Sequence, residues 1–87
     1  MKQGGLGLLN KNMNKTRRTQ LRKIAENLEN SINELETIKE QEDDARENMP
    51  ENLENSEAYE NSEQCSDTIE DVISSIQEAI NNISEIT

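Results

Sequence analysis

A single proline, Pro50, separates two stretches that each place an aliphatic residue every three or four positions. No other feature restricts the fold of this chain as much. Proline has no amide hydrogen and its ring collides with the preceding helical turn, so a helix arriving from residue 49 must end at or before Met49. Around it, Asn48, Asn52, Asn55 and Ser56 are turn and cap formers. The stretch "NMPENLENS", residues 48–56, therefore reads as a turn between two helices.

On the N-terminal side, Leu21, Ile24, Ala25, Leu28, Ile32, Leu35 and Ile38 gather on one side of a helix at about 100° per residue. No glycine or proline interrupts residues 8–49, and the spacing predicts a helix over about 14–47. On the C-terminal side, Cys65, Ile69, Val72, Ile76, Ala79, Ile83 and Ile86 alternate in steps of four and three. That is a heptad repeat, which Ile73 and Ile80 widen by one flanking position. Isoleucine is a mediocre helix former. A strand period of two, however, splits these residues between opposite faces, so the helical reading holds over about 56–86. Ser56 or Asn55 is the expected N-cap, with Glu57 and Glu60 in the first turn, where the helix dipole favours negative charge.

Doubling the chain back about residue 52 sets Leu35 against Ile69, Ile32 against Val72, Leu28 against Ile76, Ala25 against Ala79 or Ile80, and Leu21 against Ile83. The expected fold is all-α: an antiparallel two-helix hairpin resembling a coiled coil. Its apolar seam comprises Leu21, Ile24, Leu28, Ile32 and Leu35 before the turn. After the turn it comprises Ile69, Val72, Ile73, Ile76, Ile80 and Ile83. Only 30% of residues are apolar, and there is no Phe or Trp, so a broad globular core is out of reach. The stripe is wider than one partner helix needs. Self-association as a homodimer or higher, into a four-helix bundle, or docking on another protein is the expectation.

Charge is divided along the chain. Residues 1–23 carry seven bases and no acid, whereas residues 24–87 carry all nineteen acids and only Lys39 and Arg46 as bases. Around the turn an acidic interaction face is expected from Glu40, Glu42, Asp43, Asp44, Glu47, Glu57, Glu60 and Glu63. Carboxylates arrayed on a narrow rod can imitate nucleic acid and occupy a basic channel. The same cluster also reads as a solvated helix end that keeps the protein in solution. Tyr59 and Leu53 either anchor an interface there or close the tip around Met49 and Ala45. The basic segment Lys15, Arg17, Arg18, Arg22 and Lys23 begins the first helix, where the dipole is already positive. The hairpin sets it beside the C-terminal end of the second helix, near Glu78 and Glu85. Nucleic-acid binding through it is disfavoured by the remaining acidity and by the lack of stacking aromatics.

The chain has no histidine, which removes histidine bases and histidine-containing metal sites. It also lacks a Gly-rich phosphate loop and the spaced acids of a calcium loop. No catalytic residue, cofactor or metal is expected. Cys65 is the only cysteine and falls on the expected seam, where it reads as a packed thiol, with an intermolecular disulfide as the alternative. No apolar run reaches membrane-spanning length.

Residues 1–13 look unlike the rest. Three glycines and no helical period suggest a flexible leader. "MNKTRR" from Met13 reads like a natural start, so Met13 is expected as the main or a secondary initiation site. Together "MNKTRR" (13–18), "NMPENLENSE" (48–57) and "IEDVISSIQEAINNI" (69–83) resemble short, acidic, uncharacterised helical-hairpin proteins of phages and prophages of low-GC Gram-positive bacteria. That resemblance implies an accessory protein of a mobile element; with nothing that resembles a secretory signal, the cytoplasm of the bacterial host is the expected location. The resemblance also implies a stoichiometric protein binder, including inhibitors of host defence, and assigns no functional residue.

Overall fold

The computed structural model describes residues 13–87; the expected leader, apart from Met13, lies outside the described residues. Two helices pack against each other: α1, Lys15–Glu47, and α2, Glu57–Ile86. Between them Glu51–Leu53 form one 3₁₀ turn. At 1.5 Å per residue, α1 is about 50 Å long.

Local chemistry sets the ends. The Asn14 side chain accepts a hydrogen bond from the Arg17 amide at 2.9 Å and caps α1. At the other end of α1 the Asn48 amide still reaches the Asp44 carbonyl, at 3.1 Å, and the Met49 amide turns back to Arg46. Pro50 is extended, with φ −58° and ψ 149°, and the helix does not continue. Ser56 caps α2: its Oγ accepts from the Tyr59 amide at 3.1 Å and donates to the Leu53 carbonyl at 2.6 Å. One side chain thus ties the 3₁₀ turn to the helix that follows it.

The helices run antiparallel. Hydrogen bonds cross between them at Arg22 with Thr87, Glu42 with Ser62, Asp43 with Ser66, and Arg46 with both serines. These pairs centre on residue numbers that sum to about 108, four more than folding about residue 52 gives. Leu35 is therefore level with Ile73, Ile32 with Ile76, Leu28 with Ile80, and Ala25 with Ile83. The turn is asymmetric, with the 3₁₀ turn inserted after Pro50, and this moves the pivot toward α2.

The seam is also rotated from its expected centre. From Arg18 to Met49 a row in steps of three and four is covered: Arg18, Leu21, Ala25, Leu28, Ile32, Leu35, Lys39, Glu42, Arg46 and Met49, with Ser31 and Asp43 half-buried beside it. On α2 the same steps run Tyr59, Ser62, Ser66, Ile69, Ile73, Ile76, Ile80, Ile83 and Thr87, with Ile86 half-buried beside the last of them. Ile24 and Val72, expected in the seam, stay 48% and 40% exposed, and Ile38 is 51% exposed. Cys65 is an exposed free thiol, not a packed one. The reason is angular. At 100° per residue the five isoleucines from Ile69 to Ile83 fall within about 80° of arc, and Val72 and Ala79 lie outside it. The partner helix covers the arc with the most apolar area, so Ile73 and Ile80 become central instead of flanking. At the tip Leu53 remains 42% exposed while Tyr59 and Met49 are half-buried.

Candidate functional site

The loop-end half of the seam is polar. Where the heptad calls for apolar residues, α1 places Lys39, Glu42 and Arg46, and α2 places Ser62 and Ser66. The two serines are 5% and 4% exposed, as buried as Ile32 at 6%. Their small side chains leave room for the Arg46 guanidinium to lie across them. Arg46 Nη1 donates to Ser62 Oγ at 3.1 Å and to Ser66 Oγ at 3.0 Å, and Nη2 donates to Asp43 Oδ1 at 2.8 Å. Each serine passes its own proton back to α1. Ser62 Oγ donates to Glu42 Oε2, and Ser66 Oγ to Asp43 Oδ1, both at 2.6 Å. Lys39 Nζ completes the set with a 2.9 Å bond to Asp43 Oδ2. Every covered charge in this patch has a partner, which is the condition for a buried polar group to be tolerated.

Asp43 is the hub. The Ser66 hydroxyl first, then the Lys39 ammonium and the Arg46 guanidinium, hold its carboxyl far below the usual carboxylate range. The same bond to Asp43 raises the Lys39 and Arg46 pKa values. Asp43, Lys39 and Arg46 are therefore charged together across the neutral range.

This network removes two residues from the expected acidic face. Glu42 and Asp43 are half-buried and turned into the helix pair, so they are not free to meet a partner. Glu40, Asp44, Glu47, Glu57, Glu60 and Glu63 are exposed. Helix pairing adds carboxylates that were not foreseen. One surface groove beside the seam is lined by Glu36, Lys39, Glu40, Asp43, Glu70 and Ile73, drawing acids from both helices. Glu70 lies close enough to Lys39, and Glu63 to Arg46, to favour their charged forms. These contacts define an acidic flank. With each helix written as a heptad with the seam at a and d, Glu29 and Glu36 of α1 and Glu63 and Glu70 of α2 occupy position e, a row that Asp43 shares while its carboxylate is spent inside the pair. In an antiparallel pair both e rows lie on the same side. Glu36 and Glu70 could be found from the sequence only once the register was known.

At the open end the basic segment occupies the first turns of α1, where no acid precedes it. Arg22 Nη2 donates to the Thr87 carbonyl at 2.8 Å, so the C-terminal end of α2 offsets the unfavourable dipole of α1. The contact is to the backbone, whereas Glu78 and Glu85 take position f, on the outer side of α2. Lys15, Arg17, Arg22 and Lys23 are exposed and Arg18 is half-buried. Lys23 reaches Glu26 at 3.6 Å with both side chains about two-thirds exposed or more, a pair of little energetic weight.

Among the described residues no group of three or more Cys, Asp or Glu side chains is placed to hold a metal ion. None of the described helices is long and apolar enough to cross a membrane. No protein-family model, no curated protein and no solved structure matches the chain.

Proposed function

We propose that this is a non-enzymatic, cytoplasmic protein-binding protein whose acidic flank and loop end occupy a basic surface of a partner in place of nucleic acid. A phage or other mobile element is the setting suggested by the resemblance, and inhibition of a nucleic-acid-processing or defence factor the role. The supporting observation is the groove in which Glu36, Glu40 and Glu70 from two helices line one side of a narrow rod. Inter-helix bonds hold that rod at the acidic end, so the carboxylates are presented on a fixed frame. A preorganised array loses less entropy on docking than a disordered acidic tail, and its field steers a basic partner toward it.

Capture from a bacterial lysate tests this reading. The expected result is a basic protein retained at low salt and displaced by competing duplex DNA. Neutralising Glu36, Glu40, Glu63 and Glu70 to Gln should abolish its retention while the helical circular dichroism signal persists. Equal retention by that variant, or indifference to DNA, rejects the mimicry.

A second reading, a structural homo-oligomer, is supported by the exposure of Ile24, Ile38 and Val72. The two readings use different sides of the hairpin and are compatible.

A further inference from the structure

Opposite the acidic flank, the g positions of both helices form a second continuous face. From the open end toward the loop, Ile24 of α1 lies beside Ile86 of α2, and Ser31 beside Ala79. Next come Ile38 beside Val72, and Ala45 beside Cys65. No position in these four layers carries a charge. Ile24, Ile38 and Val72 are 48%, 51% and 40% exposed, and Cys65 is exposed as well. A helix with apolar residues at a, d and g, and not at a and d alone, carries the pattern of a bundle with more than two helices. The hairpin leaves its own seam thinly covered, since Ile32 is the only apolar residue it buries among those described.

The layers alternate in size: large, small, large, small, about 10 Å apart at seven residues each. We infer that this face packs against the same face of a second copy, with the two hairpins antiparallel. A two-fold axis perpendicular to the helices, between the second and third layers, sets Ile38 over Ser31 of the other copy and Val72 over Ala79. The same operation sets Ile24 over Ala45 and Ile86 over Cys65. Every large layer then meets a small one, the condition for interdigitation without voids. The operation is closed and uses the same patch twice, as a two-fold dimer requires.

Charge selects the orientation. Turned end for end, the copies bring Arg17 of each, the g residue at the basic open end, level with the acidic loop end of the other. Stacked with loops together, they place acid on acid, and large layers on large. A face about 32 Å long and two helices, about 20 Å, wide offers roughly 600 Å² per copy, close to the ~800 Å² per partner of standard interfaces. The acidic flanks remain on the two outer sides. The inference deepens the homo-oligomer reading and does not depend on mimicry.

Sedimentation equilibrium of the full chain tests the association, with twice the 9.9 kDa chain mass expected. Ile38→Glu with Val72→Glu should weaken self-association by at least about tenfold, because it buries unpaired charge; these sites are exposed in the hairpin, so helicity should persist. Ile38→Ser with Val72→Ser gives the same comparison if the double Glu variant unfolds. The Gln variant of the acidic flank should still dimerise, which separates failure of this inference from failure of the mimicry. Orientation is read from Ile86→Cys under mild oxidation. Positions 65 and 86 lie about 31 Å apart on one helix, so a bond between them must join two copies. Linked peptides joining position 86 to Cys65 support the antiparallel dimer. A monomer at all concentrations, a dimer indifferent to the substitutions at 38 and 72, or linkage only of like positions overturns it.

Discussion

The open half of the hairpin and its loop half follow the same heptad with different chemistry. In the open half Ala25, Leu28, Ile32 and Leu35 face a row of isoleucines from Ile73 to Ile83. In the loop half Glu42 and Arg46 face Ser62 and Ser66, and Lys39 is bonded to Asp43 beside them. The apolar half supplies attraction but little choice of register. Slid by seven residues, an isoleucine meets much the same environment it left. The polar half does not tolerate the slide, because Arg46 and Glu42 would then lie against Ile69 and Ile73 with their hydrogen bonds broken. Burying charge without its partner costs several kcal/mol, far more than the slide changes in the apolar half. One half holds the helices together and the other selects how they meet. Buried polar residues in helical seams are best attested in this selecting role.

The sharpest way to break the comparison is to put a charge into the apolar half. Ile32→Asp places an unpaired carboxylate at the best-buried apolar site, and the hairpin should lose its helical circular dichroism signal altogether. Next in size is the converse change. Replacing Lys39, Glu42 and Arg46 with Leu, and Ser62 and Ser66 with Ala, should raise the thermal midpoint, since well-packed apolar residues often outdo buried ion pairs. The same variant should lose its single register. Spin labels on the two helices would then report a distribution of distances in place of one narrow peak.

Acid should separate the halves without mutation. The Asp43 carboxyl is held below its ordinary pKa, so its contribution is complete above the unfolded-state value. It is lost as pH falls from about 4 toward the folded-state value. The folded state should weaken over that window in thermal scans. Asp43→Asn should be less stable at neutral pH and should show a flatter pH dependence there. The smallest effect belongs to the cap between the halves and the turn: Ser56→Ala should cost about 1 kcal/mol in urea titrations, with the register unchanged.

Much of this architecture was legible in the residues. Pro50, the capping serine and the two aliphatic stripes required a helix, a turn and a second helix, and the stripes required the helices to pair. The heptad read through Val72 and Ala79 was one of two that share Ile69, Ile76 and Ile83. Summing angles, not steps, would have favoured the row through Ile73 and Ile80. The polar half was harder to see. A serine at a seam position resembles a surface serine until a long cation from the other helix is found lying across it. Glu42 and Asp43 likewise read as solvent-facing members of an acidic run, since their partners are about 20 residues away in sequence.

The sequence by itself therefore determined the elements, because proline geometry, capping and helical periodicity act over a few residues and need no partner. It also determined the division of charge, which is a matter of composition along the chain. Only the tertiary structure decided the register, the facing of each flank, and which carboxylates are spent inside the pair. Those outcomes depend on hydrogen bonds between groups far apart in the chain, and such bonds exist only after the two helices have met.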